Sequence, residues 1–110
     1  SVTVHPQFTF SVGNSGASHY TFTGSDRNNT FNNASDPQLQ CNAGDELIFN
    51  VSASGHPFYI KNSPTIGTGN QVTAGTVTNQ GASIGTVTWN TYGVAPGTYE
   101  KYKAEVEDNV

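Results

Sequence analysis

The sequence predicts an all-β protein, a Greek-key β-sandwich, on three observations. Apolar and polar residues alternate in short runs, Gly, Asn and Pro clusters interrupt those runs at close spacing, and no helical period appears before residue 97. Charged residues are only 11% of the chain, while Asn, Thr, Ser and Gly abound, a mixture that suits short strands and turns better than long helices. The aromatic residues are numerous enough to build one compact core, which argues against wholesale disorder. With 110 residues and no internal repeat, the chain reads as one domain over residues 1–110.

Each element follows from the pattern. Phe8, Phe10 and Val12 alternate with polar residues as a half-buried strand does, and Gly13-Asn14-Ser15-Gly16 marks a turn. Tyr20 and Phe22 restart the alternation. Residues 24–36 are polar and Asn-rich with only Phe31 as an anchor, which predicts a loop. Leu39 and Cys41 predict the start of another strand, Asn42-Ala43-Gly44-Asp45 a turn, and Leu47 to Val51 a more fully buried strand. Phe58-Tyr59-Ile60 is a short apolar strand. Residues 63–85 are rich in Gly and Thr with isolated apolar positions, and predict a long excursion across the sheet edges. Val87 and Trp89 alternate again, so Trp89 is expected in the core. Residues 100–110 support two readings. Tyr102, Ala104 and Val106 alternate as in a strand, whereas Lys101/Glu105 and Lys103/Glu107 have helical spacing. An isolated helix of that length is marginal, so a strand to about Ala104 is favoured.

Charge and composition exclude several functions. A net charge of −4 with four scattered basic residues offers no surface for a phosphate backbone, so no nucleic-acid partner is expected. No apolar run reaches membrane-spanning length, so no membrane insertion is expected. The single cysteine, Cys41, has no internal disulfide partner and reads as a small buried hydrophobe.

Several motifs together resemble the cupredoxins, the small blue-copper β-sandwiches. They are Gly44-Asp45 before an apolar strand, Gly55-His56-Pro57-Phe58-Tyr59-Ile60, Gly67-Thr68-Gly69, Val77-Thr78-Asn79-Gln80-Gly81, Gly85-Thr86-Val87-Thr88-Trp89 and Ala95-Pro96-Gly97-Thr98-Tyr99. The resemblance implies that His56 is the first copper-ligand position. It also implies that a Cys, a second His and usually a Met follow from one loop near the C-terminus. Those positions fall on Ala104, Glu107 and Val110, or one register earlier on Lys103, Val106 and Asn109. No His follows His56, and the chain has no Met. Type 1 copper requires a thiolate and two imidazoles, so a blue-copper site is chemically excluded and no cofactor is expected. The remaining metal reading pairs His56 with Glu107, His5 or His19. One imidazole with scattered carboxylates is a poor donor set, and an inherited structural histidine is the plainer expectation.

No Gly-x-Ser-x-Gly elbow and no phosphate-binding glycine loop is present, so no enzymatic activity is expected. Asp45-Glu46 is a carboxylate pair at a strand start, where a turn role is expected. Asn28-Asn29-Thr30, Asn33-Ala34-Ser35 and Asn50-Val51-Ser52 match the glycosylation pattern, as a composition this rich in Asn, Ser and Thr produces unaided. The resemblance implies a further strand beyond Val110. Without it a sheet edge stays open, to be covered by another chain, by self-assembly, or by residues 1–4. The sequence therefore predicts a structural or interaction module, extracellular or on a virion surface, whose alternative is a metal-binding protein built on His56.

Overall fold

A computed structural model describes residues 6–16, 18–61 and 68–94, and the backbone of 100–103. It is all-β, with no helix among the described residues. The strands are β1 (Gln7–Ser15), β2 (His19–Ser25), β3 (Thr30–Ser35), β4 (Glu46–Ser52), β5 (Phe58–Lys61), β6 (Thr76–Thr78), β7 (Ile84–Asn90) and β8 (Glu100–Lys103). Six form one open mixed sheet in the order β3-β2-β1-β4-β7-β6, and β5 pairs with β8 in a two-stranded ribbon.

Alternation decides which face of the sheet is dry. Phe10 and Val12 of β1, Tyr20 and Phe22 of β2, Leu47, Phe49 and Val51 of β4, and Val87 and Trp89 of β7 are all buried. The residues between them are predominantly Thr, Ser and Asn and point the other way. The core is aromatic. Phe10 and Phe49 stack at 5.5 Å, and Phe22 meets Phe49 edge-on at 6.3 Å. Phe58 of β5 reaches this cluster from the ribbon, with ring centroids 5.1 Å from Phe49 and 5.3 Å from Tyr20. Burying that many large rings against one another is the main source of stability the chain has available.

All neighbouring pairs in the large sheet are antiparallel except β1 and β4. Because β3 and β4 both run parallel to β1, residues 36–45 must return along the whole sheet before β4 can begin. Ten residues reach about 33 Å, more than the roughly 23 Å of a seven-residue strand. Leu39 packs against the core on the way.

Several expectations are corrected here. Residues 24–36 are not all loop, since Thr30–Ser35 pairs with β2 as the edge strand β3. Its pattern was illegible because the register shifts between Phe22 and Gly24, which breaks strict alternation. Gly24 is needed there: with φ +147°, a Cβ would lie 2.4 Å from the Thr9 carbonyl oxygen. Leu39 and Cys41 begin no strand but belong to the return crossing, and Cys41 is exposed rather than buried. Within residues 63–85, Thr76–Thr78 is strand β6, which needs only β7 beside it. β4 is also not buried on both faces, since Asn50 and Ser52 are exposed.

Phe58-Tyr59-Ile60, Val87 with Trp89, and the strand beginning at Glu100 are found as expected, and Trp89 lies in the core with its indole N–H donated to the Ala74 carbonyl at 3.0 Å. His5, residues 1–4, Ala104 and Glu107 lie outside the described residues, as do Val106, Asn109 and Val110.

Candidate functional site

Strand directions place the noteworthy side chains at two opposite ends of the sheet. His56 follows β4 at one end. The turn after β2, the start of β4 and the end of β7 meet at the other.

At the first end, β4 gives way to a tight turn in which the His56 N–H donates to the Ala53 carbonyl at 2.8 Å. Tyr20 fixes that turn from inside the core. Its hydroxyl lies 2.8 Å from the His56 carbonyl oxygen and 2.5 Å from that of Pro57. The imidazole is half-buried, and its Nδ1 is buried with no hydrogen-bond partner among the described residues. Among the described residues no three His, Cys, Asp or Glu side chains gather to hold a metal ion. Of the other proposed ligands, His19 is described. It lies at the start of β2, with Nε2 3.0 Å from the Ser35 hydroxyl on β3, an exposed cross-strand pair. Glu107 and His5 are outside the described residues.

The opposite end holds charges that sequence reasoning missed. Arg27, in the β2–β3 turn, forms a two-pronged ion pair with Asp45, its Nε 2.8 Å from Oδ2 and its Nη2 2.7 Å from Oδ1. Asp45 also accepts from the Asn42 N–H at 2.8 Å, so it is far more than a turn residue. The Arg27 hydrogen bonds hold its carboxyl below the usual range, against the upward push of burial. Asp26 is buried, which pushes its carboxyl up, but the N–H groups of Asn28, Gln40 and Asn29 together outweigh that and leave it lowered. The Thr91 hydroxyl donates to the Asp45 carbonyl at 2.6 Å and accepts from the Gly44 N–H at 3.0 Å. These groups bind three loops to one another. Cys41 lies in the same region, its thiol pushed up by burial and then by the Asp45 charge, with Arg27 opposing. Arg27 is 18 residues from Asp45, beyond any local spacing rule, so no pattern in the sequence signals the pair.

The ribbon carries a second surprise. Lys61 is fully buried on β5, its Nζ 5.8 Å from the centre of the Tyr59 ring. Beside it, Gln80 serves as a side-chain splice on β5: its Oε1 accepts the Ile60 N–H and its Nε2 donates to the Ile60 carbonyl, each at 2.9 Å. Backbone bonds from Phe58 to Ala82 and from Gly81 to Phe58 complete the join to the large sheet.

Comparison with protein-family models, with curated proteins and with solved structures finds no match to this chain.

Proposed function

We propose that the chain is a non-enzymatic structural or interaction module of an extracellular or virion-surface assembly, built as a cupredoxin-like Greek-key sandwich that has lost its copper ligands. The observation that carries this reading is the use of the ionisable groups. Arg27, Asp45 and Asp26 are engaged in tying loops together, and the charges best organised by the fold therefore have structural work.

The sandwich reading has support of its own. The order β3-β2-β1-β4 is the 4-1-2-3 order of a Greek key, although β4 runs parallel to β1. Phe58 brings the ribbon against the aromatic face of the sheet, as a second layer requires. His56 lies on the connection between β4 of the sheet and β5 of the ribbon. In the ribbon Lys103 is opposite Phe58, so β8 ends at the His56 end, where the resemblance puts the other ligand positions. The resemblance lays the thiolate position on Lys103 or Ala104, and neither supplies a thiolate.

The orphaned Nδ1 of His56 favours one second reading, a site for a weaker or harder metal such as zinc, with ligands including Glu107. Copper and zinc titrations followed by calorimetry, combined with native mass by sedimentation, separate the two. The proposal expects association with a protein partner or with further copies, and no stoichiometric metal uptake. Tight metal binding abolished by His56→Ala overturns it.

A further inference from the structure

We draw no further inference here: the strongest candidate, the outer edge of β3 at one end of the six-stranded sheet, carries nothing because nothing in the structure shows what covers it.

Discussion

Arg27 and Asp45 form a two-pronged ion pair across the base of the sheet, with the Asp45 carboxylate only 2% exposed and the Arg27 guanidinium 5.4 Å from the centre of the Phe8 ring. The pair joins the turn after β2 to the loop that delivers the chain into β4. It thereby holds the parallel strand in place beside β1.

Removing the carboxylate should be costly. Asp45→Ala leaves the Asn42 N–H without its acceptor and Arg27 without its partner, and is expected to lower stability by about 3 kcal/mol. Urea unfolding checks this. Asp45 and Asp26 both titrate below their ordinary value of 3.8 in the folded protein. Their stabilising contribution is therefore complete above that value and is lost as pH falls through the lower folded values. Stability should drop below about pH 4 in the native protein, and Asp45→Asn should flatten that acid limb.

The Tyr20 hydroxyl is the internal tether of the His56 turn. Tyr20→Phe should cost about 1 kcal/mol while leaving the edge-on packing against Phe58 intact. Hydrogen exchange should then quicken at the His56 amide and remain slow in β4. Unchanged exchange at His56 would show that the turn is held otherwise.

Gln80 supplies the only acceptor among the described residues for the Ile60 N–H and shares the Ile60 carbonyl with the Val72 N–H. Gln80→Ala removes both bonds and should destabilise by about 2 kcal/mol, whereas a change at exposed Gln38 should fall within about 0.5 kcal/mol. At the next position Gly81 has φ +87° and lies under the Tyr59 ring, where a Cβ would come within 2.8 Å. Gly81→Ala should therefore be destabilising as well, and thermal unfolding of the two variants measures the join between ribbon and sheet.

Cys41 should react sluggishly despite its exposure, because burial of the sulfur and then the Asp45 charge both disfavour the thiolate. Alkylation by iodoacetamide should be several-fold slower than in the urea-unfolded chain at the same pH, and Asp45→Asn should speed it. Cys41→Ser should change stability by no more than about 0.5 kcal/mol.

Sequence alone determined the all-β class and most of the core. Phe10, Val12, Tyr20, Phe22, Phe49, Val87 and Trp89 announce themselves because a strand with one wet face must alternate, and alternation is local. It could not find β3 or β6, whose few apolar residues leave pairing to a neighbour as the only source of order. Only the tertiary structure decided that β4 lies parallel to β1, that Arg27 meets Asp45, and that Ser11, Asn50 and Thr86 fall in one row across three strands. Those relationships join residues far apart along the chain, and a hydrogen bond or ion pair of that kind leaves no periodic trace in the order of the amino acids.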